Sequence, residues 1–253
     1  MLPSLSIVYP MYNEKDNIET AVREALRVGY QMASQLEIIV VDDASTDGCG
    51  EIADRLACAH PEVRVVHHER NRKLGGALRS GFAAAQHEWI LYLDSDLPIR
   101  MDDALQALPL AASADMVIGW RISRAESPRR EIMSWVYNRL IRWGFGLRVR
   151  DVNFAFKLFK RSFYRRIQLR SEGSFIDAEL LLEMRHAGVR LVEMPMHYYP
   201  RVAGVSTLSS WSVVWKILEE MTRYRTLRWL PQRFHESYDR GRERRRFRAE
   251  HGR

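Results

Sequence analysis

The sequence predicts an α/β fold: a Rossmann-like, mostly parallel sheet flanked by helices, with an amphipathic helix and a basic tail at its C-terminal end. Three observations carry that expectation. Short apolar, β-rich runs at Leu5–Tyr9 (LSIVY), Glu37–Val41 (EIIVV) and Trp89–Leu93 (WILYL) have the length and composition of strands buried on both faces. Stretches of helical periodicity separate these runs, the alternation that builds a parallel sheet. Each run also stops at a polar cluster, as expected where the carboxyl ends of strands meet a ligand.

In chain order, the first strand ends in Pro10-Met-Tyr-Asn-Glu14. Asp16–Val28 follows with Ile18, Val22, Ala25 and Leu26 on one helical face, and Gly29 is placed to end that helix. The second strand ends in Asp42-Asp43-Ala-Ser45-Thr-Asp47-Gly48, and a helix runs from there to about His60. Val63–His67 is the next strand. Asn71-Arg-Lys73-Leu-Gly75-Gly76 then opens a helix to Gln86, Trp89–Leu93 is the following strand, and Met116–Gly119 another after an intervening helix. Phe175–Leu180 begins a later helix, and Arg190–Met194 reads as a strand.

Trp89–Leu93 is central because it stops at Asp94-Ser95-Asp96. Two carboxylates one residue apart at the mouth of a buried strand are costly to desolvate without a compensating charge. A divalent cation supplies that charge, and hard oxygen ligands favour Mg2+ or Mn2+ over Zn2+; the plainer reading is a pair of acids that starts a turn. Tyr12, Asp43, Lys73 and Asp96 each fall just after a strand, so all are expected on one rim of the sheet. A nucleotide laid across that rim would have its base near Tyr12 and Asp43, and its diphosphate at a metal held by Asp94 and Asp96. No Gly-x-Gly-x-x-Gly opens the first helix and no Gly-x4-Gly-Lys-Ser/Thr occurs, which argues against dinucleotide dehydrogenases and P-loop NTPases.

Composition sets broader bounds. The 253 residues are 46% hydrophobic, enough for one sizeable domain or a domain with an appendage. The net charge of +7 is concentrated in Arg121–Arg150 and in Arg240–Arg248, surfaces that attract nucleic acid, anionic lipid or a phosphorylated substrate, or that are simply solvated. Cys49 and Cys58, both placed near the start of the second helix, lack metal-ligand spacing and read as free thiols of a reducing compartment. With no secretory signal ahead of Leu5 and no apolar run near the roughly 18–20 residues that span a bilayer, the expected location is the cytoplasm.

PMYNE (Pro10–Glu14), VDDASTDG (Val41–Gly48), NRKLGGALRSG (Asn71–Gly81) and DSDL (Asp94–Leu97), in that order, resemble the inverting glycosyltransferases of the GT-A fold. The likeness is greatest to polyprenyl-phosphate glycosyltransferases such as the dolichol-phosphate mannose synthases, and it covers roughly Leu5 to Leu208. The resemblance implies a GT-A domain over residues 1–208, with a nucleotide-sugar half (1–120) and an acceptor half (121–208), followed by the helix and tail of 209–253. It implies a UDP- or GDP-sugar held by Pro10, Tyr12, Glu14, Asp43, Lys73, Asp94 and Asp96, with Mg2+ or Mn2+ on Asp94 and Asp96.

VIGWRI (Val117–Ile122) is similar to the family's Gly-Ser-Arg strand end. Arg130, Ser134, Asn138 and Arg142 recur every four residues near one helical stripe, which a solvated face would equally explain. The resemblance assigns Arg121, Arg130 and Ser134 to the acceptor's phosphate, for which the arginine fork is suited. Asp151–Phe159 looks like the family's Asp-x-x-Ser-Gly-Phe-Arg-x-Phe, with Phe154-Ala155 replacing Ser-Gly. Asp177 and Glu179 are either a helix N-terminal charge pair or contacts to the donor sugar. Arg201–Leu208 resembles the loop Arg-x-x-Gly-x-Ser-Lys-Leu that closes over the phosphates, so Arg201 is expected to stabilise charge in the reaction. Pro98 replaces a common glutamine and Thr207 the loop lysine, which leaves more of the charge neutralisation to Arg201.

The expected activity is a metal-dependent inverting transfer from a UDP- or GDP-sugar to a polyprenyl phosphate. The alternative is the same donor chemistry on a soluble saccharide or small-molecule hydroxyl, which needs a general base, Asp151 or Asp177. Trp211–Leu230 interleaves Val214, Leu218 and Met221 with arginines, so it either lies in a membrane interface or packs on the sheet. A peripheral site on the cytoplasmic face of a membrane follows from the first option. Nucleic-acid binding through Arg240–Arg248 lacks any accompanying recognition motif and is not expected.

Overall fold

A computed structural model of the chain describes residues 1–97, 99–122, 128–199 and 218–226, the side chains of 128–132 excepted. The chain divides into two units, Met1–Ser210 and Trp211–Arg253. In the second, a helix occupies 218–226, where the Thr222 and Thr226 hydroxyls donate to the Leu218 and Thr222 carbonyls at 2.8 and 2.9 Å. The rest of the expected Trp211–Leu230 helix, the Arg240–Arg248 tail, Pro98, Arg201 and Thr207 lie outside the described residues. Among the described residues no helix is long and apolar enough to cross a membrane.

The first unit is built on a seven-stranded sheet in the order β3-β2-β1-β4-β6-β5-β7. An interior strand, β1 (Leu2–Met11), pairs in parallel with β2 (Ala33–Asp42) on one side and β4 (Trp89–Tyr92) on the other; β3 (Val63–His67) continues the parallel half beyond β2. Leu5, Ile7, Val8, Ile38, Ile39, Val40, Ile90 and Leu91 are fully sealed from solvent, as expected for strands covered on both faces. Helices α1 (Ile18–Met32), α2 (Cys49–Ala59) and α3 (Lys73–Ala84) supply the crossovers. A 3₁₀ turn (Met101–Gln106) and the short α4 (Ala107–Ala111) lead from β4 to β5 (Met116–Arg121), which pairs in parallel with β7 (Leu191–Met196). The remaining helices are α5 (Pro128–Phe145), α6 (Arg161–Tyr164) and α7 (Ile176–His186).

Two local expectations are corrected. Gly29 does not end α1, which continues to Met32 and passes straight into β2. A Cβ at Gly29 would sit 2.7 Å from both Leu36 methyl carbons, so the glycine serves close packing rather than a stop. Cys58 lies in the last turn of α2, exposed, while Cys49 begins that helix and is buried; both are free. The sheet is mostly parallel, as expected, with β6 (Lys157–Lys160) running antiparallel between β4 and β5 and Tyr92 opposite Lys157.

Candidate active site

The carboxyl ends of β1, β2, β3 and β4 are adjacent because these strands are parallel neighbours. Among the described residues, the four non-glycine positions with positive φ are Asn13, Ala44, Lys73 and Leu97, one after each of these strands. A left-handed conformation costs roughly 1–2 kcal/mol for a residue with a Cβ. Such strain concentrates where a rim is shaped for a ligand rather than for stability.

The first two loops are stitched together. The Asn13 N–H donates to Ser45 Oγ at 3.1 Å, the Thr46 N–H to Asn13 Oδ1 at 2.8 Å and the Lys15 N–H to Asp47 Oδ2 at 2.9 Å. Glu14 anchors the start of α1, its carbonyl accepting from Asn17 and Ile18, both at 3.0 Å, and its Oε2 from the Asn17 amide at 2.7 Å. Asp42 accepts from the Ser45 N–H and from His67 Nδ1, each at 3.0 Å. Burial alone would raise this carboxyl, but the Ser45 and His67 hydrogen bonds outweigh it and hold Asp42 below its ordinary range. Pro10 is half-buried between the loops, its carbonyl accepting from Ser95 Oγ at 3.2 Å, and Tyr12 stands 49% exposed at the rim.

Asp43 is buried and oriented. Both of its side-chain hydrogen bonds fall on Oδ1, from His68 Nδ1 and the Arg72 N–H, each at 2.7 Å. A carboxylate only accepts, so His68 carries its proton on Nδ1, and Nε2 accepts from Ser80 Oγ at 2.8 Å. His68, which orients Asp43, is a residue that sequence reasoning missed; its only signal is the His67-His68 pair at the end of the third strand. Lys73, exposed at the start of α3, completes this edge. Just behind it, the Gly75 N–H donates to the Glu172 carbonyl at 2.8 Å, and a Cβ there would lie 2.0 Å from the Ser171 carbonyl oxygen. Glycine is therefore required where α3 meets the 170–172 loop.

Asp94 and Asp96 follow β4, the first half-buried and the second buried. The Tyr92 hydroxyl donates to Asp94 Oδ1 at 3.2 Å. Lys157, wholly buried on the neighbouring β6, has its ammonium 5.2 Å from the Tyr92 ring centre and donates to Asp177 Oδ1 at 2.6 Å and to the Phe154 carbonyl at 2.8 Å. Among the described residues no group of three or more His, Cys, Asp or Glu side chains could hold a metal ion. Two carboxylates suit instead the Mg2+-type site that substrate phosphates and water complete.

The acceptor half contains a second arrangement. Arg121 Nε and Nη2 donate to Asp151 at 2.6 and 3.0 Å, and the guanidinium lies 5.4 Å from the Tyr198 ring centre and 5.8 Å from that of Phe154. The expected phosphate fork is thus turned onto a carboxylate of its own chain. Asn138 Oδ1 accepts from the Val152 N–H at 3.1 Å, which ties this segment to α5, and the Asn138 amide donates to the Ser134 carbonyl at 3.0 Å. The side chain of Arg130 lies outside the description. Asp177 and Glu179 do not face solvent: Asp177 is paired with Lys157, and Glu179 accepts from the backbone of Arg170 and Ser171. Burial pushes both carboxyls above their ordinary range, against those partners.

Strand order and the acid pair closing β4 define a class of protein, the glycosyltransferases of the GT-A fold. The chain matches Glycosyl transferase family 2 over residues 6–170 and belongs to that family. Glycosyltransferase AglD of Haloferax volcanii is 33% identical over 207 residues, 78% of this chain but only 33% of the relative, so the chain spans about a third of that protein. Polyprenol monophosphomannose synthase of Mycolicibacterium smegmatis is 28% identical over 222 residues, 80% of each chain. Among solved structures, glucosyl-3-phosphoglycerate synthase of Mycobacterium tuberculosis with Mn2+ and UDP-glucose superposes with a TM-score of 0.66 at 19% identity, over 87% of this chain and 79% of the other.

Proposed function

We propose that this glycosyltransferase moves a sugar from a UDP- or GDP-sugar to a polyprenyl phosphate, inverting the anomeric centre, at the cytoplasmic face of a membrane. The observation that carries the reading is the gathering of Tyr12, Asp43, Lys73, Asp94 and Asp96 after four adjacent parallel strands. Tyr12 packs on the base, Asp43 reads it, and Pro10 and Glu14 hold the loop that carries Tyr12. Asp94 and Asp96 hold Mg2+ or Mn2+, which when bound supplies Lewis-acid stabilisation of the departing diphosphate. Lys73 adds positive charge beside it.

The geometry at Asp43 favours uridine. With Oδ1 already accepting from His68 and Arg72, Oδ2 is left for the base. One oxygen matches the single imide N–H of uracil, whereas guanine presents two adjacent N–H groups that a carboxylate reads with both oxygens.

On the acceptor side, Arg130, Ser134 and Arg201 hold the lipid phosphate, while the fork of Arg121 is committed to Asp151. An ionised phosphate oxygen is itself the nucleophile and needs no general base. That fits the state of the two candidates for the base a hydroxyl acceptor would require, since Asp151 is engaged by Arg121 and Asp177 by Lys157. Incubation with labelled nucleotide sugars, Mg2+ or Mn2+, and either a short polyprenyl phosphate or free saccharides tests the reading. Label is expected in the lipid phase; transfer to saccharide alone would replace it with the hydroxyl-acceptor reading.

A further inference from the structure

Lys157 is a charged side chain at a position that packing alone would fill with an apolar one. Its neighbours Phe156, Leu158 and Phe159 are wholly sealed from solvent, and so is Lys157 itself. A buried Lys–Asp pair adds little net stability, because desolvating two ions offsets most of their attraction. The ammonium nevertheless ties three elements together. It donates to Asp177 Oδ1 of α7 at 2.6 Å and to the Phe154 carbonyl, ahead of β6, at 2.8 Å. It also lies over the face of Tyr92 on β4, with 5.2 Å between the nitrogen and the ring centre. That is within cation–π range, and such a contact strengthens where water is excluded. Tyr92 is only 1% exposed, and Phe82 meets its ring edge-to-face at 6.2 Å. A ring held in this way keeps its hydroxyl on Asp94, whose Oδ1 accepts at 3.2 Å.

We infer that Lys157 is a positioning residue for Asp94, acting through Tyr92 with Asp177 as its counter-ion; the inference rests on the reading of Asp94 and Asp96 as metal ligands. The sheet register makes the link direct. Tyr92 lies opposite Lys157 at the last matched position of β4 and β6 before the acid pair. Side chains opposite one another in an antiparallel pair stand on the same face, so the ammonium reaches the ring without crossing the sheet. A carboxylate that binds a cation works best when a hydrogen bond holds it from behind, and loss of such a partner costs about tenfold or more in metal affinity. The neutral phenol of Tyr92 meets that need without setting a cation against the site. The ammonium stands over the ring rather than on the carboxylate, and Asp177 balances its charge. The same lysine grips the Phe154 carbonyl, and the Phe154 ring lies 5.8 Å from the Arg121 guanidinium. Donor and acceptor halves therefore meet at one ammonium group.

The test is a double-mutant cycle on the full chain, read by Mn2+ titration in the presence of saturating UDP. Lys157→Met/Asp177→Leu replaces a neutral ion pair with a neutral apolar pair of similar size, so no buried charge is orphaned and the chain is expected to fold. In the wild-type background this replacement should weaken Mn2+ binding about tenfold, as should Tyr92→Phe alone. Added to Tyr92→Phe it should cost less than about twofold more, because the link to Asp94 is already cut. If the apolar pair does not fold, Asp177→Asn keeps the shape of the pair and serves in the same cycle, with a several-fold loss expected only where Tyr92 is retained. Mn2+ binding unchanged by replacing the pair overturns the inference. A loss of equal size in both backgrounds also overturns it, since that is what general loosening of the sheet would give. Failure of the underlying metal reading looks different, with the wild-type chain binding no Mn2+ beside UDP.

Discussion

Arg121 and Asp151 form a bidentate pair at 2.6 and 3.0 Å with their side chains only 7% and 2% exposed. The pair joins the end of β5 to the segment before β6, and Asn138 of α5 holds the next residue. Breaking a buried pair from one side leaves an uncompensated charge. Asp151→Ala is therefore expected to lower stability by about 3–5 kcal/mol. Arg121→Met/Asp151→Leu should recover much of that loss. Urea unfolding of the wild-type chain and the two variants checks this; equal losses in the single and double variants would mean that the ion pair is not what the site depends on.

Tyr92 links the sheet interior to the acid pair through its hydrogen bond to Asp94. Tyr92→Phe keeps the ring against Lys157 but removes the donor that orients the carboxylate. Outer-sphere partners of this kind are worth about tenfold or more in metal affinity. The expected result is Mn2+ binding about tenfold weaker, by titration in the presence of UDP, with unfolding little changed. Asp96→Ala should abolish both Mn2+ binding and transfer while the chain stays folded.

His68 fixes Asp43 from behind, so His68→Leu should weaken UDP binding without touching the nucleotide itself. A hydrogen bond to a charged group is worth about 1.5–3 kcal/mol, which corresponds to a loss of at least tenfold. Calorimetry with UDP and GDP reads both this loss and the expected preference of the wild-type chain for UDP. Tighter binding of GDP would overturn the uridine assignment.

Asp115 connects β5 to Lys160 of β6 and to Arg190, at 2.9 and 3.2 Å. Burial alone would raise its carboxyl, yet these partners hold it down to about 2. Its folded value is depressed, so the stability it contributes is present above pH ~4 and is lost as pH falls toward 2. Lys160→Met should therefore move the midpoint of acid unfolding upward, and an unchanged midpoint would assign the acid sensitivity elsewhere.

Much of the donor half is legible in the sequence because β1, β2 and β4 carry short apolar, β-rich runs that stop at polar clusters. β6 is not legible: Lys157-Leu-Phe-Lys160 is four residues with a lysine at each end, and nothing local reveals that Lys157 is wholly buried against Asp177. Gly29 misleads for a related reason. The same residue type that ends helices also admits close packing, and only the Leu36 side chain decides between them. Asp151, the partner of Arg121, lies 30 residues away in sequence, and His68 and Arg72, the partners of Asp43, lie 25 and 29 residues away. Spacing could place these charges on a rim but could not say which were already paired.

The central claim, that the acceptor's phosphate is the nucleophile, is tested most directly with paired acceptors. Wild-type chain is given labelled nucleotide sugar, Mn2+, and either a short polyprenyl phosphate or the corresponding polyprenol. The account predicts label in the lipid phase with the phosphate and none with the alcohol. Equal labelling of the alcohol would contradict it, because a hydroxyl acceptor needs a base and both candidate carboxylates are engaged.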